Sequence, residues 1–526
     1  MKLVSTGLWM VAVALVMFAL SGGAVCEEHS VATYHADIAR TGNFIVPTLT
    51  WERARSLHLD EGFRASVSGQ VYAQPLYWHA PDTDSALLVV VTESNWVYGL
   101  DARTGKEIWS RSLGAPVHMS QLDCGNIDPL GVTGTPVIDG TTQSVYLDAM
   151  VGDAPGPRHL IFALSLADGS VRPGWPVDVA NALKSSGQSF DARDQSERGA
   201  LTIVDGMLYV PFGGHFGDCG KYHGWVVGLS LRDPTQVVSW STRGPGGGIW
   251  APGGMSSDGN SLYLSTGNTL DVESWSDGEA VFRLPFDLQR SNRTQDYFAP
   301  TNWRELDDQD ADLGGTNPII LTVPGATVVL ALGKDGQAYL LDQHDLGGIG
   351  GALAVEAVSN HAIRTSPASY PASDGVLVAF QGDGAHCPRS SRSGFFWLAQ
   401  KLPRRLKDSR ALQSIRNWLG EVDNELTVLK IRATPRAAIE TAWCGALRGE
   451  GAPIVTTTDG RANPVVWILG AEGDNKLHGF RGDTGEPIHT EGSDKVMAGL
   501  HHFQALVAGI DRLYVGADGR IYAFAF

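Results

Sequence analysis

Histidine side chains are the residues of this chain whose type most directly indicates chemistry. Five of the histidines are candidates for a metal centre through their imidazole nitrogens: His118, His215, His223, His501 and His502. Consecutive residues of a β-strand point to opposite faces, so we expect that His501 and His502 do not share one ion. The sequence contains no CxxC or CxxCH motif, which predicts neither a zinc ribbon nor covalently attached haem. It also lacks the GxSxG motif of hydrolases and the P-loop of nucleotide-binding proteins.

Residues 1–26 have the features of a secretory signal peptide. A basic start, Met1-Lys2, precedes an apolar run from Gly7 to Leu20, and small residues follow up to Cys26. The run is shorter than the roughly 20 residues that a membrane-spanning helix needs. We therefore expect an exported mature chain, residues 27–526, that is periplasmic or secreted and has no transmembrane segment.

Four cysteines follow Cys26, and an oxidising compartment would allow them to form disulfides. They are Cys124, Cys219, Cys387 and Cys444. Four cysteines allow three pairings. We predict Cys124 with Cys219 and Cys387 with Cys444, because the second pair would close the base of the longest insertion in the chain. The alternative is four independent buried thiols.

One sequence pattern occurs eight times and predicts the elements that position these side chains. Each copy has an apolar strand, a turn with glycine and a second strand with a Tyr-Ala-Leu-Asp-like tail, most clearly in LLVVVTESNWVYGLDARTGKEIW. Aligned on the second residue of the tail, the copies fall at Tyr98, Phe162, Val226, Phe282, Tyr339, Val428, His478 and Tyr522. Such repeats, with 63 Gly and no long amphipathic helix, predict an all-β fold, an eight-bladed β-propeller. We expect one propeller domain, residues 27–526, whose innermost strands line a channel where a ligand would bind.

The formal net charge of −17 argues against a nucleic-acid partner, which would need a basic surface. An insertion at residues 388–426, within the sixth blade, is locally basic and interleaved with aromatic and aliphatic residues. One interpretation is a basic amphipathic helix that docks on an anionic membrane or a partner. The other is a surface insertion that forms a helical hairpin.

Several motifs resemble those of the quinoprotein alcohol dehydrogenases. VYGLDARTGKEIW is similar to their blade repeat, and the similarity extends from about Tyr34 to Phe526 through YHADIARTGN, GVTGTPVID, YHGWVVGLSL, GGGIWAPGG, LYLSTGN and LGKDGQAYLLD. The resemblance implies an exported eight-bladed propeller of the quinoprotein alcohol dehydrogenase type, with pyrroloquinoline quinone (PQQ) and calcium on its axis. It also implies oxidation of an alcohol or sugar as the small-molecule substrate, with electrons passed to a separate carrier protein because no haem motif is present.

The same resemblance implies four site residues. Trp250 in GGGIW would stack under the quinone, because a flat indole suits a planar ring system. Asn268 in STGN and Asp312 in DADLGG would bind calcium through oxygen atoms, and Asp312 would also be the general base that takes the alcohol proton. Lys334 in LGKDGQAYLLD would contact the quinone oxygens and stabilise charge that develops on reduction. Taken alone, Trp250 also fits a role as a packing tryptophan, and Asp312 and Lys334 also fit roles as turn residues.

The sequence departs from the family pattern at three places. The family covers the quinone with a disulfide between adjacent cysteines, but Cys124 has no cysteine beside it. The stretch that carries a calcium-binding glutamate in the family reads FGGHFGDCG, which leaves His215, Phe216 or Asp218 in that place. A second family glutamate falls near Tyr72. The calcium ligand set implied by the resemblance is therefore incomplete.

These departures keep two other functions open. The first is a non-catalytic propeller scaffold or binding protein that has lost the cofactor site and acts on a protein partner. The second is a protein that docks on a surface through the basic insertion. Trp250, Asp312 and Lys334 in one axial pocket would favour the dehydrogenase, and their separation would favour the scaffold.

Overall fold

Eight β-sheets in the computed structural model form the blades of a closed β-propeller. The structure describes residues 30–80, 85–153, 156–387, 425–490 and 496–526. The predicted signal peptide lies outside the described residues, as does all but the end of the predicted insertion at 388–426. The predicted all-β, eight-bladed fold is confirmed.

We number the blades in chain order and give the strands of each blade in chain order as well. The first four blades are Leu76–His79, Ala86–Val91, Trp96–Asp101 and Glu107–Ser112 in blade 1; Val137–Asp139, Ser144–Val151, Arg158–Ser165 and Val177–Asp178 in blade 2; Gln195–Ser196 with Thr202–Val204, Met207–Gly214, Trp225–Ser230 and Val237–Ser241 in blade 3; and Ser256–Ser257, Leu262–Thr266, Ala280–Leu284 and Tyr297–Ala299, extended by Gly348–Ile349, in blade 4.

The other blades are Ile319–Val323, Ala326–Leu332, Gln337–Asp342 and Ala354–Ala357 in blade 5; Ala368–Pro371, Val376–Gln381, Leu426–Arg432 and Ala438–Gly445 in blade 6; Ile454–Thr457, Val465–Leu469, Leu477–Arg481 and Pro487–Thr490 in blade 7; and Val507–Ala508, Arg512–Ala517 and Arg520–Ala525 in blade 8. The strands His58–Leu59 and Ala65–Ser66 complete blade 8 by pairing antiparallel with Arg520–Ala525, so both ends of the domain meet in one sheet.

The eight repeat copies lie on the third strand of the eight blades, one in each. This strand is hydrogen-bonded on both sides and lies between neighbouring blades, so both of its faces are covered. In blade 1 the third strand, Trp96–Asp101, is buried at its four central residues. A strand covered on both faces has a continuous apolar run, and this physical reason makes the repeat visible in the sequence.

The N-terminal residues 31–46, which we call the inner segment, run across the inner strands of successive blades. Backbone amides of the inner strands donate to carbonyls of this segment in chain order: Tyr77 to Val31, Ile138 to Ala32, Ser257 to Ile38, Ile320 to Ala39, Ser369 to Thr41 and Val455 to Gly42. The segment then pairs in parallel with blade 7 through Asn43–Ile45. The inner strands of six blades are thus connected by one stretch of chain inside the ring.

Arg40 anchors the inner segment to blades 3 and 4. Its side chain is fully buried, and burial lowers its pKa to about 10. The guanidinium donates six hydrogen bonds of 2.6–3.0 Å, to the carbonyls of Gly253, Met255, Tyr34 and Leu201 and to the hydroxyls of Thr33 and Thr202. All six acceptors are neutral oxygens, so this buried charge is satisfied by hydrogen bonds.

Short helices and two disulfides complete the described structure. The α-helices are Trp51–Ser56, Val179–Ser185 and Trp303–Gln309, and the 3-10 helices are Met119–Gln121, Thr294–Asp296 and Leu313–Gly315. In the described ranges, none of the helices is long and apolar enough to cross a membrane. The disulfides join Cys124 to Cys219 and Cys387 to Cys444, which confirms both predicted pairs. The second disulfide connects the residue before position 388 to the outer strand of blade 6.

Candidate functional site

A cavity of about 420 Å³ opens on the axis of the propeller. Its walls come from the residues that precede the inner strands of several blades and from the loops that follow second strands. The lining includes Asn126, Ser196, Arg198, His215, Phe216, Asp218, Trp250, Asn268, Asp310, Asp312, Lys334, Arg364, Glu450 and His502. Loops from seven blades meet here because these two loop types lie at the same end of every blade, and this end surrounds the axis.

The four predicted site residues all line this cavity. The ammonium of Lys334 lies 4.8 Å from the ring centroid of Trp250 and forms a close ion pair with Asp312. Asp310 also accepts from Lys334 at 2.8 Å. The backbone N–H of Asn268 donates to Asp312 at 2.9 Å. The structure therefore brings Trp250, Asn268, Asp312 and Lys334 into one cluster, while their catalytic and metal-binding roles stay predictions.

Gly267 explains why the STGN motif has glycine before Asn268. A Cβ atom at this position would lie 2.9 Å from Asp312 Oδ1 and 3.1 Å from Trp250 Nε1. Any larger residue would push the carboxylate or the indole away. The glycine thus allows the loop after the second strand of blade 4 to pack directly against Asp312.

Burial and charge set the protonation of this cluster. Burial alone would lower the pKa of Lys334, but the carboxylates of Asp312 and Asp310 more than offset it, and the pKa is raised. Asp312 has only 2% of its side chain exposed, and Lys334 13%. Lys334 is therefore a permanent cation beside a buried carboxylate, above the face of Trp250.

Glu279 lies behind Asp312, and sequence reasoning missed it. It accepts a hydrogen bond from the Leu313 backbone N–H at 2.5 Å, and its second oxygen has no partner among the described residues. Burial, followed by the negative charge of Asp312, raises the pKa of Glu279 well above its usual range. Its position in DGEA, eleven residues after Asn268, contains no motif that would have identified it.

The calcium ligands implied by the resemblance are only partly present. Asn268 and Asp312 are adjacent, but both Asp312 oxygens already accept, from Asn268 N–H and from Lys334. Where the family has glutamate, Phe216 has 65% of its surface exposed, and Asp218 accepts from the Tyr222 hydroxyl at 2.6 Å. Among the described residues, no group of three His, Cys, Asp or Glu side chains could hold a metal ion. This donor set does not fit calcium, which takes six to eight oxygen ligands.

The residues that line the cavity suit a planar anion such as PQQ, whereas they lack the oxygen ligands that calcium needs. Trp250 offers a flat aromatic surface, and the lining includes three cations, Lys334, Arg198 and Arg364. The volume lies within the usual range for small-molecule sites. The side chain of Arg198 makes no hydrogen bond or ion pair with any residue in the described part of the chain, in contrast to Lys334.

The candidate histidines do not form a metal centre within the described residues. His118 pairs with Asp128 at 3.0 Å, and the ring of His215 contacts the Arg193 carbonyl at 3.1 Å. Burial lowers the pKa of His215 to about 4. His223 contacts the carbonyl of Thr242.

The pair His501 and His502 does not lie in the strand that was assumed, and the expectation that they do not share one ion stays a prediction. They lie in a turn rather than in a strand, because the next residue, Phe503, has a φ of 68°. Both rings therefore approach the same carboxylate oxygen of Glu472, with Nδ1 distances of 3.9 Å for His501 and 2.8 Å for His502. The premise that the two rings point to opposite faces was wrong.

Solved structures with a similar fold include two quinohemoprotein alcohol dehydrogenases and a methanol dehydrogenase. The chain superposes on quinohemoprotein alcohol dehydrogenase from Comamonas testosteroni with a TM-score of 0.61 at 15% identity, covering 94% of this chain and 80% of that chain. For quinohemoprotein alcohol dehydrogenase ADHIIG from Pseudomonas putida HK5 the TM-score is 0.64 at 13% identity, with the same coverage of 94% and 80%. For a europium-containing methanol dehydrogenase the TM-score is 0.60 at 14% identity, covering 95% and 98%.

At such identities the likeness concerns the fold. No protein-family model matches the chain, and no curated protein sequence matches it either. The agreement nevertheless covers 94%, 94% and 95% of this chain in the three comparisons, and the described residues form eight sheets. The chain therefore has the eight-bladed β-propeller fold of the quinoprotein alcohol dehydrogenases.

Proposed function

We propose that the protein is a quinone-dependent dehydrogenase that oxidises an alcohol or sugar in the axial cavity. The observation that carries this proposal is the convergence of Trp250, Asp312 and Lys334, three residues from different loops, on one cavity. A scaffold that had lost its site would have no need for a buried carboxylate and cation at the axis, because burying charges is costly.

Trp250 and Asp312 would each have a distinct role in the oxidation. When bound, PQQ supplies the two-electron acceptor for the hydride equivalent that leaves the alcohol carbon. Trp250 offers the stacking surface that orients a planar ligand. Asp312 accepts the hydroxyl proton as the carbonyl product forms, which balances the loss of two electrons and two protons from the alcohol.

Lys334 and Glu279 keep Asp312 ready for this step. The ammonium of Lys334 forms an ion pair with the carboxylate and holds it in a fixed orientation. The raised pKa of Glu279 favours its neutral form, which avoids a second negative charge beside Asp312. Asn268 fixes the other Asp312 oxygen through its backbone N–H.

Export and electron transfer belong to this proposal. Two disulfides in the described structure support an oxidising compartment, such as the periplasm or the extracellular space. The electrons removed from the alcohol would then pass to a separate carrier protein. Docking through the basic insertion stays a prediction, because that segment lies outside the described residues.

The alternative, a non-catalytic binding propeller, is favoured by one observation. Phe216 and a hydrogen-bonded Asp218 stand where the family has a calcium-binding glutamate. Under this alternative the cavity binds a ligand or a partner segment without chemistry.

Titration of the purified mature chain with PQQ, followed by dye reduction with alcohols and sugars, tests the proposal. We expect binding that weakens about tenfold in Trp250→Ala, because the variant loses buried aromatic area as well as the about 0.5–1.5 kcal/mol that stacking contributes beyond it. Trp303→Ala, at a helical tryptophan that does not line the cavity, is the matched control and should bind normally. Binding without turnover on any substrate would support the alternative, and no PQQ binding at all would reject the dehydrogenase.

A further inference from the structure

The side chain of Arg198 has an unusual environment for an arginine inside a protein. It lies between the axial cavity and a smaller cavity of about 30 Å³ that Tyr34 and Tyr72 also line. The guanidinium has five N–H donors, yet within the described residues it makes no hydrogen bond and no ion pair. Arg198 is partly exposed, and its exposed surface faces the two cavities.

Glu93 and Glu197 lie close enough to interact electrostatically with Arg198, but neither forms an ion pair with it in the described structure. Glu93 accepts from the Gly131 N–H at 2.8 Å and from Thr133 at 3.1 Å. Glu197 accepts from the Gly134 N–H at 3.2 Å. Burial raises the pKa of Glu93 to about 7 and that of Glu197 well above its usual range. Both side chains thus accept hydrogen bonds from backbone amides and none from Arg198.

The acidic groups of the axial cavity are largely committed elsewhere. Asp310 and Asp312 pair with Lys334, and Asp218 accepts from Tyr222. Glu450 also lines the cavity, and none of its carboxylate oxygens lies within ion-pair distance of Arg198. Arg198 thus has carboxylates nearby but no hydrogen bond or ion pair in the described structure, so its N–H donors remain open to a ligand in the cavity.

We propose that Arg198 is the anion-binding residue of the axial cavity, where it binds a carboxylate of the ligand and replaces the divalent ion as the charge that holds it. This inference rests on the proposed function for its choice of PQQ as ligand. The fork of N–H donors suits a carboxylate in two-point contact. Lys334, above Trp250, would then lie at the reacting end of the ligand, and Arg198 at its acidic end.

The carboxylate that binds to Arg198 has two candidate sources, PQQ and a hydroxy-acid substrate. We therefore use two probes on the full mature chain, PQQ and a series of hydroxy acids from glycolate to gluconate. Each is titrated by calorimetry in EDTA and again in calcium chloride. The variants are Arg198→Met and Arg198→Lys. Arg193→Met is the matched control, because Arg193 lies on the same segment but pairs with Asp123 at the surface.

We expect PQQ to bind in EDTA, with calcium changing the affinity less than about threefold. Arg198→Met should weaken binding about 10- to 100-fold, which corresponds to the loss of one charge-assisted contact. Arg198→Lys should restore part of the affinity, because it returns the charge without the two-point geometry. Arg193→Met should bind like the parent chain.

The folding of the variant provides an independent measurement. Arg198→Met removes a cation that makes no hydrogen bond or ion pair in the described structure, so the ligand-free variant should unfold at nearly the same temperature as the parent. A large decrease in unfolding temperature would show that Arg198 serves the fold and would overturn the inference.

The remaining outcomes separate this inference from the proposed function. PQQ binding that Trp250→Ala abolishes and Arg198→Met leaves unchanged would keep the proposed function and overturn the role of Arg198. PQQ binding that requires calcium would overturn it as well. Arg198-dependent binding of a hydroxy acid without PQQ binding would support the anion site and reject the quinone-dependent dehydrogenase.

Discussion

Arg40 and Arg198 lie near the same axis in opposite electrostatic situations. Arg40 is fully buried in the inner segment and donates six hydrogen bonds to neutral oxygens. Arg198 lines the open cavity and has no hydrogen-bond partner in the described structure. Tyr34 of the inner segment and Arg198 line the same small cavity, so these two environments are neighbours along the channel.

This difference distinguishes an arginine that stabilises the fold from an arginine that is available to bind a ligand. A buried cation whose donors are all satisfied connects parts of the fold, and its removal leaves acceptors unpaired. A cation whose donors are free costs stability and has a use only when a ligand arrives. The channel thus contains a hydrogen-bonded inner segment next to an open, charged pocket. Each of the following substitutions tests either the stabilising role of the inner segment or the binding role of the pocket.

The largest expected effect is the loss of folding stability when Arg40 is replaced. Arg40→Met should lower the free energy of unfolding by about 5 kcal/mol, because it leaves buried carbonyl and hydroxyl oxygens of three chain regions without donors. Urea denaturation measures the change. Arg53→Met, an exposed arginine of the first helix, is the control and should change stability by less than about 0.5 kcal/mol. Equal stabilities of the two variants would show that Arg40 does not hold the inner segment.

The second largest expected effect is the loss of turnover when Asp312 is replaced. Asp312→Asn should lower turnover about 10²- to 10⁴-fold, the usual contribution of a general base, while PQQ affinity changes only a few-fold. Asp310→Asn is the matched control, because Asp310 also pairs with Lys334 but has 68% of its side chain exposed. Steady-state dye reduction measures both variants. Equal losses would assign the effect to Lys334 positioning rather than to proton transfer.

A third effect tests whether Glu93 is a neutral neighbour of Arg198. Burial raises the pKa of Glu93 from 4.5 to about 7, so the folded chain holds this proton more tightly than the unfolded chain. This stabilising contribution is present below pH 4.5 and is lost as the pH rises through 7. The pKa difference of about 2.5 corresponds to about 3 kcal/mol.

Glu93→Gln should remove this dependence, since glutamine stays neutral. Denaturation of the parent and of the variant at pH 5 and pH 8 measures the difference between their pH profiles. Glu52→Gln, at an exposed helix position, should have the parent profile. Parallel profiles for the parent and Glu93→Gln would contradict the raised pKa and would make Glu93 a charged neighbour of Arg198.

The smallest effect concerns the rim of the cavity. Cys124–Cys219 joins the loop of Asn126 to the loop of Phe216 and Asp218, whereas Cys387–Cys444 lies in blade 6, away from the cavity. Replacing either pair by serine should cost about 2–4 kcal/mol of stability. We expect ligand affinity to fall about 3- to 10-fold for the first pair only, because its loops become less ordered. Equal affinities of the two double variants would show that the rim disulfide does not organise the site.

The sequence predicted the parts of the molecule that depend on local or repeated patterns. The eight tails, from Tyr98 to Tyr522, mark third strands because a strand covered on both faces is apolar throughout. The resemblance located Trp250, Asn268, Asp312 and Lys334, which the structure places around one cavity. The two disulfides were predicted from the position of the insertion and are confirmed.

Other features depend on contacts between distant parts of the chain. The sequence by itself determined the repeat, hence the blades, because alternation and apolar runs are local properties of strands. Only the tertiary structure decided that Arg40 reaches acceptors 213 and 215 residues away, whereas Arg198 reaches none in the described chain. The physical reason is that a side chain's partners are set by which loops meet at the axis, and this meeting depends on closing the ring.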